Sequence, residues 1–227
     1  MRRSSLLLVS LLAIVSALPA SAALKKYKDW ASSPEAYFLT ADERKAWDAV
    51  SSDEDAEKFV QAYRDARGKG FAAAIQSRID FADRTLALGK KKGSQTLRGK
   101  TLILFGSPTR VSATTVGSGV DTSKADLSMI EARAGGGGAN SSGSSNPAPF
   151  TNSGGPGDAL RTAHAPDEKT VQAWVYGPGT LPVGDKTKEM PFIFTVDQNS
   201  GQETVSDSAK LQQLFDAVVA YWAPKRG

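Results

Sequence analysis

Apolar residues recur at helical spacing in three blocks of the first half of the chain. The clearest set is Phe71, Ile75, Ile79, Ala82 and Leu86, at intervals of 4, 4, 3 and 4, which places them on one helix face. Upstream, Phe59, Val60 and Tyr63 form the apolar stripe of a second helix, ended by Gly68 and Gly70. Further upstream, a helix running to Val50 buries Trp47. These two helices carry start signals. Thr40 and Glu43 make a capping box, each side chain able to satisfy a free N–H of the first turn, with Leu39 as a hydrophobic staple. Ser51 and Glu54 repeat the spacing, and Asp53, Glu54 and Asp55 put negative charge at the positive end of the helix dipole. Lys90, Lys91 and Lys92 are expected at the C-terminal end of the third helix, where cations suit the dipole, with Gly93 as its stop.

The period then changes. Thr101 to Phe105 is a continuous apolar run with β-branched and aromatic members, bounded by Gly106-Ser107-Pro108, and reads as a buried strand and a turn. In the second half, Val171, Ala173 and Val175 alternate with Gln172, Trp174 and Tyr176, as a strand requires. Phe192, Phe194 and Val196 alternate in the next run, and Asn199-Ser200-Gly201 supplies hairpin chemistry leading to Glu203-Thr204-Val205. Leu211, Leu214, Phe215, Val218, Val219 and Trp222 recur as one face of a final helix, stopped by Pro224. The order predicts an α+β fold: N-terminal helices packed on a small antiparallel sheet of three to four strands, with a C-terminal amphipathic helix.

Composition divides the chain further. Residues 1–22 have a secretory-leader pattern: Arg2 and Arg3, the apolar run Leu6 to Val15, and Ala20-Ser21-Ala22, with cleavage expected after Ala22. That apolar run is short for a spanning helix, which needs about 20 residues. The mature chain is therefore expected to be secreted or periplasmic, with no transmembrane segment. Residues 23–111 form the helical lead-in and first strand. Residues 112–167 are rich in Gly and Ser and cannot bury enough apolar surface to offset their ordering entropy, so a disordered insertion is expected. Residues 168–227 supply the remaining strands and last helix of the same domain, since neither half has enough strands to stand alone.

Chemistry is sparse. There is no cysteine, which removes disulfides, thiolate metal sites, a cysteine nucleophile and a lipid anchor on cysteine. The one histidine, His164, excludes a multi-histidine zinc site and reads as an exposed loop residue at the edge of the low-complexity segment. Gly99-Lys100-Thr101 resembles a phosphate loop, but Ser94 stands where its first glycine belongs, and a helix precedes it where a strand should. Asp197 to Glu203 has too few alternating carboxylates for calcium. Asp80 and Asp83 are three apart on the third helix, close to Arg78 and Arg84, and read as solvated helix charges. No cofactor or metal is expected, and no residue is assigned a catalytic role.

The precursor has 28 basic and 24 acidic residues; without Arg2 and Arg3 the balance is +2. The charge is uneven: Arg84 to Val120 holds seven basic residues and no acidic one. Its single aromatic residue, Phe105, gives nothing to interleave for base stacking, so nucleic acid is not an expected partner.

One run resembles a known family. Gly93-Ser94-Gln95-Thr96-Leu97-Arg98-Gly99, then Lys100 to Phe105 and Gly106-Ser107-Pro108, is similar to the naming motif of the GWxTD-domain proteins, secreted bacterial proteins of unknown function. Phe38-Leu39-Thr40 with Glu43, the Arg64-Asp65 pair and Arg78 to Asp83 look like that family's helical lead-in, and Trp174-Val175-Tyr176 like its later strand. The likeness covers residues 36–111 and 171–205. Ser94 replaces the family's Trp and Leu97 its Asp, so any role of those two is lost here. The resemblance implies an exported, non-enzymatic binding or scaffolding domain at the bacterial cell envelope. Its expected contact surface is Lys91, Arg98, Lys100 and Arg110 with Trp174 and Tyr176, facing an envelope protein or an anionic glycan or lipid surface. The competing expectation is a secreted hydrolase using the helix carboxylates Asp65, Asp80 or Asp83.

Overall fold

In the computed structural model, which describes residues 24–117 and 168–224, two 3-10 turns (Trp30–Ser32 and Pro34–Phe38) lead into three helices. The expected leader, most of the expected insertion, and His164 lie outside the described residues. The helices are α1 (Ala41–Asp48), α2 (Asp53–Ala66) and α3 (Phe71–Thr85). Thr40 caps α1 as expected: Glu43 N–H donates to Thr40 Oγ1 at 3.2 Å, and Thr40 N–H to Glu43 Oε2 at 2.9 Å. The cap of α2 is one residue later than the spacing suggested. Ser52 accepts from Asp55 N–H at 3.2 Å. Asp53 is thereby left to accept the backbone N–H groups of Lys25, Lys26 and Tyr27, tying the lead-in to α2.

Lys90 to Lys92 do not sit on the end of α3. The helix ends at Thr85, and Leu88 and Lys91 exchange backbone hydrogen bonds across a tight turn with Gly89 at φ +57°. Gly93 has a packing role: a Cβ there would lie 1.7 Å from the carbonyl oxygen of Ala82 on α3. Only glycine lets the chain cross the helix this closely.

The largest departure from expectation is at Thr101 to Phe105. This run is not a strand but the second half of a helix, α4 (Leu97–Phe105). Thr96 caps it, accepting from Gly99 N–H at 3.0 Å, and Gly106 ends it at φ +86°. Residues Arg98, Gly99 and Thr101 to Phe105 are all buried, and only Leu97 and Lys100 are partly exposed. A helix buried over most of its length has no continuous polar face, and in a short run it looks like an interior strand.

The sheet is an antiparallel meander in the order β1-β2-β3-β4. Its strands are β1 (Arg110–Gly117), β2 (Glu168–Tyr176), β3 (Met190–Asp197) and β4 (Gln202–Val205). Thus the first strand begins where the first half was expected to end, and Ser112 to Gly117 belong to the sheet rather than to an insertion. Asp197 accepts from Asn199 and Ser200 N–H, and Gly201 takes φ +66°, so the β3–β4 turn is the expected hairpin. The last helix is α5 (Ser208–Tyr221), capped by Asp207, which accepts from Lys210 N–H. The described residues therefore form an α+β fold with five α-helices and a four-stranded antiparallel sheet.

The main core joins the helices to one face of the sheet. Phe105 of α4 contacts Tyr176, Phe192 and Phe215, with ring centroids 5.3 to 5.7 Å apart. Val116, Val171, Ala173 and Ile193 form a separate apolar cluster, and Trp47, Ala56 and Val60 a third beneath Trp30.

Candidate functional site

The six residues expected to form one contact surface separate into buried and accessible sets. Arg98, Trp174 and Tyr176 are interior, none more than 2% exposed, which corrects their assignment to an outer face. The three share two internal networks. Arg98 donates through Nε to Glu203 Oε1 at 2.5 Å and through Nη1 to Gln172 Oε1 at 3.0 Å, and Trp174 Nε1 donates to the same Gln172 oxygen at 3.3 Å. Tyr176 donates its hydroxyl to Gly106 O at 3.1 Å; burial pushes that phenol far above its ordinary pKa. Both faces of β2 are covered, so the alternation along it does not separate inside from outside.

Lys91, Lys100 and Arg110 remain accessible, at three separate places. Lys91 Nζ donates to Gly201 O in the β3–β4 turn at 3.3 Å. Arg110 pairs with Glu189 at 3.4 Å at the start of β1. Lys100 projects from α4 into a cleft of about 430 Å³ lined by Tyr37, Arg44, Lys100, Leu104, Phe215 and Asp216, among others.

That cleft is the best-formed candidate site. Its walls come from the 3-10 turn before α1, from α1, from α4 and from α5. Lys100 Nζ sits 4.8 Å from the Phe215 ring centroid and 5.7 Å from that of Tyr37. Aromatic faces attract a cation at this range. Tyr37 is fixed by donating its hydroxyl to Ser94 O at 3.0 Å. Burial lowers the Lys100 pKa below its ordinary value; Asp216 opposes that shift, and Arg44 adds to it. No carboxylate lies within ion-pair distance of Lys100 among the described residues, and Asp216 accepts instead from Gln212 Nε2 at 2.8 Å. The site thus holds a half-desolvated ammonium over an apolar floor, with Arg44 close by. An incoming anion would restore the charge balance that burial has disturbed. The sequence marks only Lys100 of this group as a contact residue; Tyr37, Arg44 and Phe215 lie on separate helical segments with no shared sequence signal.

The carboxylates expected of a hydrolase do not converge on this cleft. Asp65 accepts from Gln61, Asp80 from Gln76, and Asp83 from Ser94 N–H. The first two are helix-surface pairs, and the third pins the turn at Ser94 to α3. No cluster of three metal-ligating side chains occurs among the described residues. The Gly99-Lys100-Thr101 run lies in the first turns of α4, so the element order expected around it does not hold. The phosphate-loop reading fails for a different reason. Glu203 already occupies the helix N-terminus, accepting from Leu97 N–H at 2.5 Å and Arg98 N–H at 3.4 Å. No family model, no curated protein and no solved structure matches this chain.

Proposed function

We propose that this chain is an exported, non-enzymatic binding domain of the bacterial cell envelope, of the GWxTD type, and that the Lys100 cleft takes an anionic amphiphile there. The observation that carries the binding site is the Lys100 ammonium: half-buried, lowered in pKa, stacked near Phe215 and without a carboxylate partner among the described residues. Leaving such a charge unpaired costs free energy that a bound anion recovers. The apolar walls from Leu39, Leu104, Phe215 and Val219 favour a ligand with carbon next to its charge. A cleft of about 430 Å³ suits a lipid headgroup and its first carbons better than a protein partner, which needs roughly 800 Å² of surface on each side.

Export rests on the leader pattern of residues 1–22; no helix among the described residues is long and apolar enough to cross a membrane. The GWxTD relation rests on positions with a physical reason to be fixed. Gly93 and Gly99 sit where a Cβ would meet a carbonyl oxygen at 1.7 and 1.8 Å, Thr96 caps α4, and Arg98 is buried against Glu203. The motif's Asp position is Leu97, and Glu203 supplies the missing negative charge at that helix end.

Vesicle sedimentation tests the proposal. The chain from Ala23 onward should sediment with vesicles containing phosphatidylglycerol and not with phosphatidylcholine alone, and Lys100→Glu with Arg44→Glu should abolish it. Equal sedimentation by the double variant, with its fold intact by circular dichroism, would remove the cleft from the function.

A further inference from the structure

Four arginines among the described residues are withdrawn from full solvent exposure: Arg64, Arg67, Arg78 and Arg98. Three have a carboxylate in direct contact. Arg64 forks onto Glu35 at 2.7 and 2.8 Å, Arg67 onto Glu43 at 2.8 and 2.7 Å, and Arg98 meets Glu203 at 2.5 Å. This is the usual way a protein holds a desolvated guanidinium. Arg78 is the exception. Among the described residues its one hydrogen bond is from Nη1 to the carbonyl of Ile103, at 2.8 Å, and no acid pairs with it.

The surroundings of Arg78 are built to keep it in place. Gly106 passes directly over the guanidinium: a Cβ at that position would be 3.4 Å from Nη2, and its φ of +86° also favours glycine. Tyr176 secures that backbone by donating its hydroxyl to Gly106 O at 3.1 Å. Burial lowers the Arg78 pKa, with the Tyr176 phenol opposing the shift. The guanidinium opens onto a cleft of about 360 Å³, separate from the one at Lys100 although Leu104 contributes to the walls of both. Lys186 also lines this second cleft, and its ammonium donates to the carbonyl of Leu181 rather than to an acid. Thr180 and Tyr221 line it too, and Tyr221 is 57% exposed. The nearby Asp185 is turned to its own loop, accepting from the N–H and hydroxyl of Thr187.

We infer that Arg78 and Lys186 form a binding site for a phosphate monoester, with the phosphate between the two cations and its organic body against Tyr221. Arg78 has five N–H donors and spends one on Ile103, leaving a fork suited to two phosphate oxygens. Lys186 supplies the second charge that a dianion needs. The exposed Tyr221 ring gives the ester group an apolar surface, which inorganic phosphate cannot use. The site is independent of the Lys100 reading and survives its failure.

Isothermal titration with inorganic phosphate and with phenyl phosphate, at matched ionic strength, tests this. Both should saturate at one site, phenyl phosphate more tightly, and Tyr221→Ala should bring the two affinities together. Arg78→Gln and Lys186→Ala should each weaken phenyl phosphate about tenfold or more, the loss of one charge-assisted hydrogen bond, while Lys100→Ala leaves it unchanged. Lys186 is on an exposed loop, so its variant keeps the test meaningful if Arg78→Gln does not fold. Absence of saturable phosphate binding, or full affinity in Lys186→Ala, would overturn the inference.

Discussion

Replacing Glu203 with alanine removes three things at once. It takes the carboxylate from Arg98, it frees the Leu97 and Arg98 backbone N–H groups at the start of α4, and it cuts the tie between β4 and that central helix. The side chains of Arg98 and Glu203 are only 2% and 4% exposed, so water cannot replace the lost partner. Arg98 would keep a single bond, to Gln172 Oε1 at 3.0 Å. Breaking a buried pair by removing one member costs about 3–5 kcal/mol. The lost helix cap, about 1 kcal/mol, overlaps with that figure rather than adding to it in full. Against a domain stability of about 5–15 kcal/mol this is a large fraction. Urea unfolding followed by tryptophan fluorescence reads it directly, because Trp174 shares the Gln172 oxygen with Arg98. Glu203→Gln should fall between wild type and alanine, since it retains an acceptor for Leu97 N–H but not the charge. Arg98→Met with Glu203→Leu should recover most of the loss, because no uncompensated charge remains. A cost below about 1 kcal/mol for Glu203→Ala, or a double variant as unstable as the single, would refute the reasoning.

Gly93→Ala would place a methyl 1.7 Å from the Ala82 carbonyl oxygen, and should cost about 3 kcal/mol or more in urea unfolding, whereas Lys91→Ala should change stability by less than about 0.5 kcal/mol. For Glu43, burial pushes the carboxyl up, but hydrogen bonds from Arg67 and Thr40 outweigh it and hold the pKa below its ordinary 4.5. Its stabilisation is therefore complete above 4.5 and fades as pH falls through the lower folded value; Glu43→Gln should flatten that part of an acid unfolding curve. Lys100 has the opposite sign, a cation lowered below its ordinary 10.5, so its charge burdens the folded state until the pH rises past its folded pKa. Lys100→Met should be as stable as wild type or more so near neutral pH, with the difference shrinking toward pH 10.5 in paired urea melts.

The other elements were legible because their apolar residues recur at the period of a helix or a strand. Helices α1 to α3 and α5 and strands β2 to β4 all appear in the spacing of apolar residues. Helix α4 was not, because Thr101 to Phe105 are buried without a break and nothing in that run records a turn of 3.6 residues. Its start signal was present in Thr96, but a Gly two residues before Thr101 masked it. Strand β1, RVSATTVG, has small and hydroxylated residues that merge with the Gly/Ser-rich composition following it. The functional reading erred where burial, not residue type, decides. Arg98 looks like surface chemistry until Glu203 and Gln172, both distant from it in sequence, close around it, and Trp174 until its own strand is buried on both faces. Lys100 gained its meaning from three residues on other segments.

Chemical-shift mapping on the labelled chain tests the central claim most directly. Decanoate, titrated below its micelle-forming concentration, should first shift the Lys100 side-chain resonances with those of Tyr37, Arg44 and Phe215, and should raise the Lys100 pKa toward 10.5 as the anion offsets its desolvation. Shifts that leave these residues unmoved, with the Lys100 titration unchanged at saturating ligand, would contradict it.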